Sequence, residues 1–150
     1  MRKIYFTIYK IDEHPDKAKC FVWVRNNYHY LAEHEVEDLV SSLNALQKEI
    51  GGKLDWSLGQ VPDRGEYIRL TDYDKEALAE LDMEACSLTG TFCDHDVIEC
   101  VRTGDMGELI NRLHKWCEYH YSDEGIEETA EANEWEFTHE GRRWIGPESN

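Results

Sequence analysis

Nucleophiles and metal-binding side chains crowd one stretch of the chain: Cys86, Cys93, His95, Cys100, His114, Cys117 and His120. Zinc takes four ligands in a tetrahedron, generally delivered as two closely spaced pairs. Cys93-x-His95 and His114-x-x-Cys117 would supply two pairs if the loop carrying the first folded over the helix carrying the second. Cys93, His95, His114 and Cys117 are therefore the candidate metal ligands. Neither spacing is a recognised zinc pattern, and Cys-x-x-Cys does not occur. The plainer reading makes Cys117 a small core residue and His120 a satisfied or half-exposed histidine. No metal or cofactor is expected.

The run Cys93-Asp94-His95-Asp96 contains a nucleophile, a base and carboxylates, the ingredients of a small metal-dependent or thiol enzyme around Cys93 and His95. Adjacency in sequence does not provide the side-chain geometry that a thiol–imidazole pair needs. Gly-x-Ser-x-Gly, a P-loop and a dinucleotide fingerprint are all missing from the sequence. Carboxylate pairs are too numerous for any one to stand out as an acid/base couple. No catalytic residue is assigned, and the enzyme reading ranks below a binding reading.

The carboxylates themselves are the more informative chemistry. The 150 residues carry 32 acidic and 16 basic side chains, a formal net charge of −16. A net charge of about 2–8 in magnitude already keeps a small domain soluble. The larger excess adds self-repulsion and asks for an explanation. It is also localised. Residues 1–31 are net +3, whereas 32–50, 71–100 and 123–150 are net −4, −8 and −7.

Within these acidic stretches the spacing is helical. Asp72, Glu76, Glu80 and Glu84 form an i,i+4 series, and Glu124 with Glu128 and Glu127 with Glu131 repeat it. Like charges at this spacing cost an isolated helix about 0.2–0.5 kcal/mol per pair. Interleaved lysines would serve solubility better, yet Lys75 is the one basic residue in the first series. Successive carboxylates stand roughly 6 Å apart along a helix axis, comparable to the ~3.4 Å axial repeat of phosphates along one nucleic-acid strand. The eight residues are the candidate contacts to a basic protein surface. The most concrete expectation is a non-enzymatic inhibitor of a nucleic-acid-binding enzyme, of the anti-restriction or anti-CRISPR kind, that occludes the nucleic-acid groove. An immunity protein or antitoxin against a basic nuclease has the same chemistry. The bland alternative is a housekeeping acidic domain whose carboxylates only face water. Direct nucleic-acid binding is disfavoured by long-range repulsion.

The elements that would carry these residues point to an α+β class: a small antiparallel sheet from N- and C-terminal hairpins, packed with three or four helices, in one domain over residues 1–150. Alternation over Lys3–Lys10, polar residues from Asp12 to Lys17 and apolar Cys20–Val24 read as the first hairpin. Val36, Leu39, Val40, Leu43, Leu46 and Ile50 mark a helix from about Ala32, ended by Gly51-Gly52. Leu54–Leu58 and Tyr67–Leu70 are short strands. A helix capped by Thr71 runs to about Ala85, Leu88–Phe92 reads as a strand, and Asp105 with Glu108 has capping-box spacing ahead of a helix to Tyr121. An acidic helix over 123–133 precedes a closing hairpin, Trp135–Thr138 and Arg142–Ile145. Trp116 and the Tyr28-His29-Tyr30 loop are candidate exposed aromatics. Five irregularly spaced cysteines, no secretory signal and no long apolar run suggest a cytoplasmic protein without a membrane span.

Overall fold

A computed structural model describes residues 7–83 and 87–146. The fold is α+β, with six α-helices and two small antiparallel sheets among the described residues. The chain forms two compact units, residues 1–31 with 119–150, and residues 32–118.

In the first unit, strand β1 (Tyr9–Lys10) pairs antiparallel with β4 (Glu136–Phe137), which pairs in turn with β5 (Arg143–Trp144). The closing hairpin is thus present, and it recruits the N-terminal strand. The expected N-terminal hairpin is not formed. Its presumed returning strand, Cys20–Val24, lies inside helix α1 (Lys17–Asn27), while residues 3–6 of the presumed outgoing strand lie outside the described residues. The apolar run misleads because α1 buries Cys20, Phe21 and Val24 and leaves Val22 more than half exposed. That is helical spacing hidden within a continuous apolar string.

His14, 5% exposed, ties the start of α1 to the hairpin. Its Nδ1 accepts the Asp16 backbone N–H at 2.9 Å, so Nε2 carries the proton and donates to the Thr138 carbonyl at 2.8 Å. Helix α6 (Asp123–Ala132) completes this unit, capped by Ser122, whose hydroxyl accepts from Gly125 N–H. Ile11, Cys20, Phe21, Val24, Ile126, Ala130 and Phe137 form its core, with Trp23, Tyr28 and Trp135 packed on the edge.

The second unit is built on α2 (Glu33–Ile50), which packs against strand β2 (Lys53–Ser57), α3 (Lys75–Glu80) and α4 (Asp94–Thr103). Strand β3 (Tyr67–Thr71) pairs with β2, placing Asp55 opposite Arg69 and Trp56 opposite Ile68. Helix α5 (Met106–Tyr121) follows α4 and runs on into the residues of the first unit. Leu39, Leu43 and Leu46 of α2 and Leu109 and Leu113 of α5 have no exposed surface, as their helical periodicity requires. Asp105 caps α5 by accepting Glu108 N–H at 3.0 Å, while the Glu108 carboxylate turns to Arg112.

Two expectations in this unit change. Leu88–Phe92 is a bend, not a strand, and it leads into α4. Helix α3 starts at Lys75 because the Asp74 carboxylate, not Thr71, caps it, accepting from Glu76 and Ala77 N–H. It ends at Glu80, well short of Ala85.

Candidate acidic interface

Shortening α3 dissolves part of the acidic series. Asp72 sits ahead of the helix with φ +58°, its carboxylate 3.9 Å from the Lys53 ammonium. Glu84 lies outside the described residues. Glu76 and Glu80 remain, one turn apart, both exposed, and neither has an ion-pair partner among the described residues. Residues 32–118 carry 20 acidic side chains against eight basic ones, net −12, so this unit holds most of the excess.

Helix α6 keeps its full expected length, but its carboxylates divide into two groups. Glu127 accepts from Lys17 Nζ at 2.7 Å, a contact that raises the lysine's pKa chiefly through that hydrogen bond. Asp123 pairs with Arg25. Basic α1 and acidic α6 are therefore partly neutralised against each other. Glu128 accepts the Tyr119 hydroxyl, which pushes that phenol up to about 12, with desolvation and the Glu128 and Glu124 charges adding to the effect. Glu124 and Glu131 are exposed and have no ion-pair partner among the described residues. Lysine and arginine ion pairs engage Asp72, Asp96, Glu99, Glu108, Asp123 and Glu127. Of the eight candidate contacts, Glu76, Glu80, Glu124 and Glu131 are exposed and have no ion-pair partner among the described residues.

A third acidic group centres on Arg112, which donates to Asp96 at 2.8 Å, Glu99 at 3.0 Å and Glu108 at 3.2 Å. The guanidinium's pKa is raised and that of Glu99 is lowered, each chiefly by their shared hydrogen bond. One cation against three carboxylates still leaves a local excess of two negative charges. On the same helix, Trp116 stands one turn beyond Arg112 and packs edge-to-face with Phe92, ring centroids 4.9 Å apart. Phe92 is 51% exposed and Trp116 half-buried. An exposed ring backed by a second aromatic, near carboxylates, has the composition of an interface anchor with a charged rim.

The four candidate metal ligands are not brought together, and no group of three or more His, Cys, Asp or Glu among the described residues could hold a metal ion. Cys93 is buried, its Sγ 3.7 Å from the Thr91 hydroxyl, and burial raises its pKa. His95 points outward to Glu99 at 3.7 Å. His114 contacts Glu66 at 2.8 Å. Cys117 is fully buried and desolvation pushes its thiol up to about 12. A thiol protonated at neutral pH beside an imidazole that faces away lacks the activation that thiol chemistry requires.

The most organised polar group escaped the sequence reading. Asp94, 6% exposed, opens α4 and folds back on the preceding bend. Its Oδ2 accepts the N–H groups of Leu88, Thr89 and Gly90 at 2.9–3.0 Å, and its Oδ1 accepts the Ser42 hydroxyl at 2.6 Å and that of Thr89 at 2.8 Å. Burial works to raise its pKa, but the hydrogen bonds from Ser42, Thr89 and Gly90 outweigh it and hold the carboxyl below its ordinary value. Both carboxylate oxygens are engaged from within the chain, so this is a lock that shapes the bend. The available signal was Asp94 followed by Val97, Ile98 and Val101 and then Gly104, which ends α4 in the left-handed conformation.

Comparison with family models, curated proteins and solved structures finds no match. Among the described residues, no helix is long and apolar enough to cross a membrane.

Proposed function

We propose that this protein is a non-enzymatic binding protein whose exposed carboxylates engage a basic protein surface, most concretely the nucleic-acid groove of an enzyme that it blocks. The observation that carries the reading is the set Glu76, Glu80, Glu124 and Glu131, exposed and without an ion-pair contact among the described residues, on a chain of net charge −16. Structural carboxylates in this molecule find cations or N–H groups, as Glu127 and Asp94 do. Glu76, Glu80, Glu124 and Glu131 have no ion-pair partner among the described residues, and a Lys/Arg-lined surface would supply one. An immunity protein or antitoxin acting on a basic nuclease is the same reading with a different target.

The test is capture of the partner from host lysate on the immobilised protein at about 50 mM and about 500 mM salt, read with and without competing nucleic acid. The expected partner is basic, elutes at high salt and is displaced by duplex or single-stranded nucleic acid. The E76Q/E80Q and E124Q/E131Q variants should retain less of it. A partner held equally at both salt concentrations, untouched by nucleic acid and by both variants, overturns the reading.

A further inference from the structure

Two cations share one cleft of the second unit. Lys75, the first residue of α3, and Arg102, in the last turn of α4, line an open cleft of about 600 Å³. Leu78 and Val101, both buried, and the half-buried Tyr73 make up much of the rest of its lining. No carboxylate lines it among the described residues. That is unexpected in a unit with 20 acidic side chains against eight basic ones.

The carboxylates nearest in sequence are committed elsewhere. Asp74 caps α3 and Asp105 caps α5, each by accepting backbone N–H groups. Neither Lys75 nor Arg102 forms an ion pair with a described residue. Arg102 is nevertheless fastened: Nε and Nη2 donate to the Leu78 carbonyl at 3.2 and 3.0 Å, and Nη2 also reaches the Leu81 carbonyl. Closing off the end of α3 occupies that edge of the guanidinium and leaves Nη1 without a hydrogen bond to a described residue. It does not account for Lys75, or for two like charges on one cleft.

We propose that this cleft binds a small organic phosphate, a monoester whose dianionic head meets Lys75 and Arg102 and whose carbon body lies on Leu78 and Val101. A cleft lined by one sign of charge, with apolar walls, concentrates ligands of the opposite sign. The volume and the mixture of apolar lining with a few charged groups are those of a small-molecule site. Arg102 selects the head. A carboxylate is held best by two parallel N–H bonds from a guanidinium, and Nε and Nη2 already serve carbonyls. A phosphate has three oxygens and takes Nη1 and a lysine ammonium from different directions. This site is independent of the acidic interface and stands or falls without it.

Titration of the full chain in about 0.05 M salt, followed by amide chemical shifts, tests the site with phenyl phosphate, benzoate and inorganic phosphate as probes. Phenyl phosphate should shift the amides of residues 73–79 and 101–104 and saturate below about 10 mM. Benzoate has the same ring on a carboxylate, and inorganic phosphate has the head alone. Each should bind about tenfold more weakly. K75Q should weaken phenyl phosphate about tenfold and K75E should abolish saturation, both with an unchanged melting temperature because Lys75 is exposed. K48Q, on α2 and outside the cleft, should bind as the parent does. The absence of a saturable shift, either comparison probe binding as tightly as phenyl phosphate, K75E binding like the parent, or K48Q losing as much as K75Q overturns the proposal.

Discussion

The Ser42 hydroxyl of α2 donates to the Asp94 carboxylate of α4 at 2.6 Å, and both residues are buried. This contact joins two helices and at the same time satisfies an ionised group out of reach of water. The balance is asymmetric: Asp94 has other donors, whereas the N–H groups of Leu88, Thr89 and Gly90 all converge on its Oδ2. Ser42→Ala should therefore cost about 1–2 kcal/mol, and Asp94→Asn more, about 2–4 kcal/mol, because an amide presents N–H to N–H or to hydroxyl on one side. Chemical denaturation of the two variants checks the order, and a Ser42→Ala loss equal to or above that of Asp94→Asn contradicts it.

The same carboxylate sets an acid limit. Its folded pKa lies below the ordinary aspartate value of about 4, so the stability it contributes is present above that value and is lost as pH falls through the folded one. Melting temperatures between pH 7 and pH 2 should fall less steeply for Asp94→Asn than for the parent. Parallel curves would show that Asp94 does not contribute to acid unfolding.

The four described cysteines should be nearly inert in the native state. Cys20, Cys93, Cys100 and Cys117 are buried, and desolvation raises each thiol, to about 11 for Cys20 and about 12 for Cys117. A raised pKa favours the folded state at neutral pH, and that stabilisation is lost as pH climbs from the ordinary thiol value toward the folded one. A disulfide reagent at pH 7.5, applied to a Cys86→Ser variant, should label none of the four rapidly and all of them after unfolding in guanidinium. Rapid native labelling of Cys93 would bring the thiol-enzyme reading back.

Legibility followed amphipathicity. Helices α2 and α5 were readable because Leu39, Leu43, Leu109 and Leu113 recur on one face and polar residues fill the other. Strands β2 and β3 and the closing hairpin were marked by turn residues on either side. Helix α1 was not readable, since Val22 and Trp23, on its open face, continue the apolar string of its buried face. Helix α4 was obscured by Gly90 and by an aspartate whose partners, Ser42 and the bend's N–H groups, are supplied by the fold. The acidic series suffered a related error. Period alone placed Asp72 and Glu76 on one helix, but Asp74 makes the stronger cap and begins the helix between them. Nothing in the local sequence separates Glu127 from Glu131, because Lys17 lies 110 residues away from its partner.

That last distinction yields a test within a single helix. Glu127→Gln removes the charge paired with Lys17 but keeps an oxygen that can accept from it, and the Lys17 side chain is 38% exposed, so the loss of stability should be small. Glu131→Gln removes a carboxylate that has no ion-pair contact among the described residues and stands one turn from Glu127 and Glu128, its charge acting on Lys17 only at longer range, so stability should hold nearly unchanged. Binding should respond in the opposite order. If α6 faces a basic partner, Glu131→Gln weakens the complex and flattens its salt dependence, because one fewer charge is screened there. Glu127→Gln leaves affinity nearly unchanged, its charge being already matched by Lys17. Thermal melts of the two variants, set beside a salt titration of the captured complex, separate structural from functional carboxylates four residues apart. Equal affinity for both variants at low salt would reduce α6 to a solvated face and move the interface to Glu76 and Glu80.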